Sequence, residues 1–359
     1  TFFLNRLAPE PHALAFAGQS TPWPVALADQ TTDPSLDEAL RGHVAAAGRL
    51  LTPVAADLLA TTGRPVDLFG FAPNPARLGA AADATASVEG VALTQLGALL
   101  DLEHLGYSVA QAKPLAVLGH SQGVLAVHMT RAIEAAGSIE AAGTTLDEIL
   151  AVAALIGAAG TRRVRELGLN PKYGEASPML SVKGATRAQV EALVARVNNA
   201  RGPISIAVTN SDNHHVLSGY PEDLAAFALE AEREHQHQAK LREQKLHGGT
   251  VFNPTLEYLE VTLPFHSPLM ADAVEQTVAW AGACGFDQKR TRALAEEVLL
   301  NHVDWNARVK ALFDDADPSK LWIVDLGPGN TLGKLIGNVV QGTGIGVVEA
   351  TTRSEERRV

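Results

Sequence analysis

The stretch Pro114-Leu-Ala-Val-Leu-Gly-His-Ser-Gln-Gly-Val124 decides how the rest of this chain is read. Leu115 to Leu118 is a short apolar run entered after a proline, the pattern of a buried strand. Gly119 and Gly123 then bracket Ser121 in the order Gly-x-Ser-x-Gly. Two missing side chains let a strand and the following helix approach closely beneath a strained serine, which is the geometry of a nucleophile elbow. A glycine-rich turn can also hold a serine for packing reasons alone, so the pentapeptide needs support from elsewhere in the chain.

With 359 residues, 46% hydrophobic and 19% charged, the chain can bury a large core in one big domain or two unequal ones. A formal net charge of -11 lacks the Lys and Arg surplus that neutralises phosphate, which argues against nucleic acid and anionic membranes as partners. The single cysteine, Cys284, offers neither an internal disulfide nor a cysteine metal cluster, and its Ala-Gly-Ala-Cys-Gly setting reads as small apolar filler. No run reaches the roughly 18 to 20 uninterrupted apolar residues of a membrane span. The N-terminus shows no secretion-signal pattern, so a cytoplasmic location is the expectation. The charged end Thr351-Thr-Arg-Ser-Glu-Glu-Arg-Arg-Val359 reads as a linker running into something larger.

Upstream of the elbow, Ala13 to Ala17 is a strand candidate stopped by Gly18-Gln-Ser-Thr-Pro22, where backbone dipoles can face a site. Ser35 to Ala110 has helical spacing broken near Phe69 to Pro75, with Asp83 to Leu102 leading to the elbow strand. Downstream, Val124 to Ala136 predicts a helix, and a second is expected to begin with Thr145 as its cap and Asp147 and Glu148 in its first turn. The Pro- and Gly-punctuated stretch from Pro171 to Pro178 suits a boundary. Beyond it come a strand at Met179 to Val182, a helix at Arg187 to Val197, strands at Ile204 to Val208 and His215 to Leu217, a helix from Glu222, and a strand near Leu256 to Val261. That order is the split βαβ pattern of a ferredoxin-like unit. The expected fold is α/β: an α/β-hydrolase-like large subdomain (1–177 and 262–359) with a parallel sheet, and an inserted ferredoxin-like subdomain (178–261). The charged stretch Glu232 to Lys245 reads as a solvated helix, since His235, His237 and His247 lack a matching carboxylate or cysteine frame for metal. Helical sequence runs to about Cys284, another helix lies near Arg292 to Leu300, and Trp322 to Asn330 reads as a last buried strand with a Gly-Pro-Gly turn.

A serine attacks a carbonyl only with a base to take its proton and donors for the oxyanion. Of twelve histidines, His120 adjoins the serine but points elsewhere from a tight turn, so it reads as a packing or orienting residue. His266, in Leu263-Pro-Phe-His-Ser-Pro268 where the two units rejoin, is the better base, though a surface-loop histidine fits that setting too. No aspartate announces itself as the acid of a hydrolase triad, which leaves a backbone carbonyl to orient the base. Asn301-His-Val-Asp-Trp305 is a polar turn that either approaches the site or only ends a helix.

Taken in order, Phe16-Ala-Gly-Gln19, Gly119-His-Ser-Gln-Gly123, the ferredoxin-like insertion, Pro264-Phe-His-Ser267, Asn301-His-Val-Asp-Trp305 and Asp325-Leu-Gly-Pro-Gly329 together resemble the acyl-CoA:acyl-carrier-protein transacylase family across essentially the whole chain. The Gly-His-Ser-Gln-Gly form most resembles the transferase domains of fungal- and actinobacterial-type fatty acid synthases. The resemblance implies Ser121 as nucleophile, His266 as base, the backbone N–H groups of Gln19 and Gln122 as the oxyanion hole, and Asn210 as a pocket-lining residue. It also implies acetyl-CoA as donor and the phosphopantetheine arm of acyl carrier protein as acceptor. Other synthase domains in a large homo-oligomer are the implied partners, with no metal and no bound cofactor.

Malonyl-transferring relatives carry an arginine on the helix after the elbow helix, where its guanidinium fork clamps the substrate carboxylate. Matching Asp147 to Gly157 onto that helix puts Ile156 at the arginine position, where a malonyl carboxylate loses its partner and an acetyl methyl fits. Arg162 and Arg163 lie further along and read as surface residues, while Phe265 beside the base narrows the pocket toward small acyl groups. The expectation is an acetyltransferase, with a malonyl or palmitoyl transferase of the same family, or a serine esterase or thioesterase, as rivals.

Overall fold

Five consecutive residues, His12–Phe16, are buried along their whole length, as a strand covered on both faces requires, and they form β1. The computed structural model describes residues 10–63, 66–71, 74, 82–169, 176–197, 203–244, 251–315 and 317–350. The charged end at 351–359, Lys245, His247, most of the Pro171 to Pro178 stretch and part of Phe69 to Pro75 lie outside the described residues.

After β1 come α1 (Trp23–Gln30), α2 (Pro34–Leu50), α3 (Ala55–Thr62), α4 (Ala84–His104), β2 (Ala116–Gly119), α5 (Val124–Ala136) and α6 (Ile139–Glu166). The small unit follows as β3 (Met179–Lys183), α7 (Arg187–Val197), β4 (Ser205–Ser211), β5 (His214–Ser218), α8 (Pro221–Glu243) and β6 (Thr255–Tyr258). The chain returns through α9 (Ala271–Ala283), α10 (Gln288–Leu299), β7 (Val303–Asp304), α11 (Trp305–Lys310), β8 (Trp322–Asp325), α12 (Thr331–Val340) and β9 (Gly346–Glu349).

The large unit holds a parallel sheet in the order β2-β1-β8-β9, with Leu14 opposite both Val117 and Val324. Strand β1 is the point where the order reverses, and in open parallel sheets a crevice forms outside the carboxyl ends of the strands at that point. Those ends carry Gln19 after β1, Ser121 after β2 and the Gly327 turn after β8. The fully buried Asp325 locks the last of these: its carboxylate oxygens accept from the N–H of Gly327 (2.8 Å) and of Gly333 in the first turn of α12 (2.7 Å). Burial pushes its carboxyl up to about 7, with the two amide donors pulling the other way. Trp322–Asp325 is not the last strand, because β9 pairs parallel with it at the sheet edge.

Helix α4 is buried on nearly every side and starts at Asp83, which accepts from the Thr85 N–H at 2.9 Å. Helix α6 corrects the expected start at Thr145. Its cap is Ser138, accepting from the Ala141 N–H, and Thr145 sits inside the helix. The buried stripe Ile139, Ala142, Leu146 and Ile149 already keeps helical spacing from Ser138 onward, and Gly143 faces open space, so the small and β-branched residues there do not break it. By length and composition α6 is long and apolar enough to cross a membrane, yet 61% of its apolar window is buried inside the protein, the setting of a core helix.

In the small unit the strand order β6-β3-β5-β4, antiparallel throughout, is the ferredoxin-like order. Leu180, Val182 and Leu217 point to one face and pack with Val190, Leu193, Leu224 and Phe227 of α7 and α8 in a hydrophobic core of their own. The alternate residues Ser181, Lys183, His214 and Val216 face the large unit. This sheet does not stop at the unit's own strands: β7, from the returning chain, pairs parallel with β4 through Val208 opposite Val303 and Thr209 opposite Asp304.

Candidate active site

The elbow is built by absent side chains. A Cβ on Gly119 would lie 2.5 Å from the Val124 nitrogen and 2.6 Å from the Gly123 carbonyl carbon, and one on Gly123 would meet the Phe16 carbonyl oxygen. Only glycine lets β2, the turn and β1 approach this closely. Between them Ser121 adopts φ 53°, a left-handed conformation that side chains rarely take. Such strain persists only where surrounding structure over-determines it, and it clusters at functional sites.

His266 comes to the serine from the far side of the sequence, also at positive φ (57°). Its Nε2 lies 2.6 Å from Ser121 Oγ, and its Nδ1 lies 2.7 Å from the Asn301 carbonyl oxygen. A carbonyl only accepts, so Nδ1 carries the proton and the Nε2 lone pair faces the hydroxyl, the tautomer that a general base needs. A backbone carbonyl thus stands where a hydrolase triad has its carboxylate. Ser121 is 8% exposed and His266 2%, and burial above all pushes the imidazole down to about 3. The Asn301 carbonyl raises it, and the charges of His120, His302 and Arg308 lower it further.

Gln19 and Gln122 meet beside the serine. The Gln19 side-chain amide donates to Gln122 Oε1, and Gln122 Nε2 donates to the Val88 carbonyl at 2.5 Å. Among the described residues neither backbone N–H has a hydrogen-bond partner, which leaves two donors on the turns that flank Ser121. His120 faces away from the hydroxyl: its Nε2–H donates to Asn210 Oδ1 at 2.7 Å, and its ring stands edge-on to Trp305 at 5.2 Å. Burial lowers its pKa, the Asn210 bond acting against that and Arg308 with it. It packs the turn and ties it to strand β4.

A cleft of about 1300 Å³ opens between the two units, lined at one end by Gln19, His120 and Asn210. The open face of the small sheet forms one wall, and Thr331, Lys334, Leu335, Asn338 and Val339, one stripe of α12, form the other. Lys183 and Lys310 in this cleft are paired with Glu257 and Asp212, whereas Lys334 has no ion pair among the described residues.

Ile156 and Phe265 are buried and are not among the residues lining that cleft. Ile156 shares a face of α6 with Gly160, whose missing side chain is filled by Leu263, three residues before the base. Phe265 packs beside the His266 ring, centroids 6.5 Å apart. Arg162 is exposed and paired with Glu166 and Gln276. Arg163 is not the surface residue expected: half-buried, it donates to the Leu269 carbonyl at 2.9 Å and pairs with Asp272. A long side chain at that point of α6 reaches the loop after His266, so helix spacing alone misplaces it.

Three positions escaped the sequence reading. Arg308 Nη1 donates to the Gly119 carbonyl at 2.9 Å behind the elbow. Gln95, fully buried, donates from its side chain to the Ala17 carbonyl at 2.6 Å and so holds the end of β1. A glutamine amid the apolar run Val91 to Leu100 was the available signal for it. His302 is the third; it faces β4, and its bonds are taken up below.

Residues 178–258 match the family model for the fatty acid synthase central AT domain, the span of the small unit. A solved acyl carrier protein S-malonyltransferase from Vibrio cholerae O1 superposes with a TM-score of 0.66 at 14% identity, covering 97% of this chain and 99% of that one. The fold is that of the acyl-carrier-protein transacylases. A malonyl-transacylase solved in complex with a type II PKS acyl-carrier protein gives a TM-score of 0.67 at 15% identity, covering 96% of this transacylase-fold chain and 97% of that one. In sequence, the fatty acid synthase beta subunit TOXC of Cochliobolus carbonum is 26% identical over 278 residues, 67% of this chain and 13% of its own length.

Proposed function

We propose that this chain is the acyltransferase unit of a cytoplasmic fatty acid synthase. It moves an acetyl group from acetyl-CoA to the phosphopantetheine thiol of an acyl carrier protein. The observation that carries the reading is the Ser121–His266–Asn301 carbonyl line, set at the strand ends next to Gln19 and His120, which line the cleft between the two units. In the first half, Ser121 passes its proton to His266 Nε2 as Oγ attacks the thioester carbonyl, and the Gln19 and Gln122 N–H groups take the oxyanion. Collapse breaks the carbon–sulfur bond, and the departing CoA sulfur takes the proton from His266. In the second half the carrier thiol gives its proton to His266 and attacks the acetyl-serine ester, and Ser121 leaves with that proton. No step calls on a metal or a redox cofactor.

The acetyl preference rests on Ile156 and on the engagement of all three α6 arginines elsewhere, Arg162 with Gln276, Arg163 with Leu269 and Asp272, and Arg165 with the Thr61 carbonyl, which leaves a substrate carboxylate without a partner on that helix. The malonyl-transferring neighbours in fold favour the rival donor, and an incubation that includes a pantetheine thiol separates transfer from hydrolysis. With acetyl-CoA and free pantetheine, acetyl-pantetheine should form and Ser121→Ala should abolish it. Rapid hydrolysis without transfer would make the chain an esterase.

A further inference from the structure

The carbonyl that holds the catalytic base is not on a rigid element. Asn301 is exposed, between the end of α10 and β7, and its own N–H is tied back to the Glu296 carbonyl at 2.7 Å. Its carbonyl belongs to the next peptide plane, the one that ends in the nitrogen of residue 302. Because that unit is planar, the direction of the Asn301 oxygen is set by where His302 is held. His302 is held by the small unit: its Nδ1–H donates to the Ile206 carbonyl of β4 at 2.9 Å. That donation leaves Nε2 bare, 3.4 Å from Thr209 Oγ1, whose hydroxyl donates to it. The Thr209 oxygen in turn accepts from His215 Nδ1 at 3.4 Å, inside the sheet. Immediately afterwards β7 joins β4, so backbone and side chain both fasten this turn to the inserted unit.

We infer that His302 is a positioning residue: by docking on Ile206 and Thr209 it fixes the Asn301 peptide, and through it the ring of His266, so the small unit sets the catalytic dyad. The inference rests on His266 being the base. It gives the inserted unit a part in the chemistry beyond forming a wall of the cleft.

The test measures phosphonylation of Ser121 by a fluorophosphonate probe, which needs the serine–histidine pair but no acyl substrate, in His302→Leu, His302→Asn and Thr209→Val. The asparagine amide keeps a donor near the Nδ1 position, and the other two changes remove one or both bonds. The expected result is a rate about tenfold lower in His302→Leu, since a small misplacement of a reacting group costs that much or more. His302→Asn should recover most of the rate, and Thr209→Val should show a smaller loss. A merely structural role would lower the melting temperature without separating leucine from asparagine at a temperature where both are folded. Wild-type rates in His302→Leu, or equal losses in the leucine and asparagine variants, would overturn the inference. If His302→Leu does not fold, the asparagine and Thr209→Val rates decide it: wild-type rate in Thr209→Val, or full loss in His302→Asn, overturns it. Should wild-type protein react with the probe but with no thioester, the proposed function fails and the inference is still decided by the same rates.

Discussion

Ser121 Oγ and His266 Nε2 lie 2.6 Å apart, and both residues reach that distance from left-handed backbone, at φ 53° and 57°. A non-glycine residue held there costs on the order of 1–2 kcal/mol. Two strained residues 145 positions apart in the sequence, meeting in one hydrogen bond, mark a site whose geometry is maintained against local preference. They also yield a stability test. Ser121→Ala and Ser121→Gly both delete the hydroxyl, and both should abolish acylation. The glycine variant, free of the Cβ penalty, should be the more stable of the two by about 1 kcal/mol in denaturant unfolding.

His266 should remain a neutral base over the whole working range. Burial holds it at about 3 in the folded chain, against about 6.5 when unfolded. The rate of Ser121 acylation should therefore be level from about pH 5 to 8 on this account, with no acid limb centred near 6.5. Between 6.5 and 3 the unfolded chain binds a proton that the folded chain refuses. The contribution of His266 to stability is thus whole above about pH 6.5 and is lost as pH falls toward 3. Acylation rates and unfolding midpoints across that range check both statements.

Ile156→Arg should move donor choice from acetyl toward malonyl. The side chain it replaces is fully buried on the face of α6 that packs against Leu263, so an arginine there is costly unless a carboxylate meets it. The variant should be several kcal/mol less stable without ligand. Its ratio of malonyl to acetyl adduct on Ser121 should rise at least tenfold, corresponding to about 1.4 kcal/mol.

Lys334 is the cleft lysine without a carboxylate partner among the described residues, and it shares a wall with Thr331 and Asn338. On the proposed function it faces the phosphates of an incoming CoA thioester. Lys334→Ala should raise KM for acetyl-CoA about tenfold, as loss of one charge-assisted contact of about 1.5 kcal/mol does. It should leave loading from a short phosphate-free acetyl thioester unchanged. Equal effects on both donors would remove phosphate from its role.

Much of this was legible because the relevant signals are local. The elbow glycines leave no room for a Cβ, and α5 and α7 span Val124–Ala136 and Arg187–Val197 as spacing and composition indicate. The missing triad acid pointed toward a backbone carbonyl, and the Asn301 turn supplies it. What escaped depends on tertiary partners. Ser138, not Thr145, caps α6 because the apolar stripe continues through a glycine that touches nothing. Strand β7 is two residues long and exists only by pairing with β4, so no run of its own announces it. Arg163, Arg308 and His302 each act across a gap in sequence that spacing does not report.

The most direct measurement is mass spectrometry of the intact protein and its Ser121 peptide after brief exposure to equimolar acetyl-CoA and malonyl-CoA. The account predicts an acetyl adduct on Ser121 as the main species, absent in Ser121→Ala and strongly reduced in His266→Ala. A predominant malonyl adduct would contradict the acetyl assignment, and labelling that persists in Ser121→Ala would contradict the nucleophile itself.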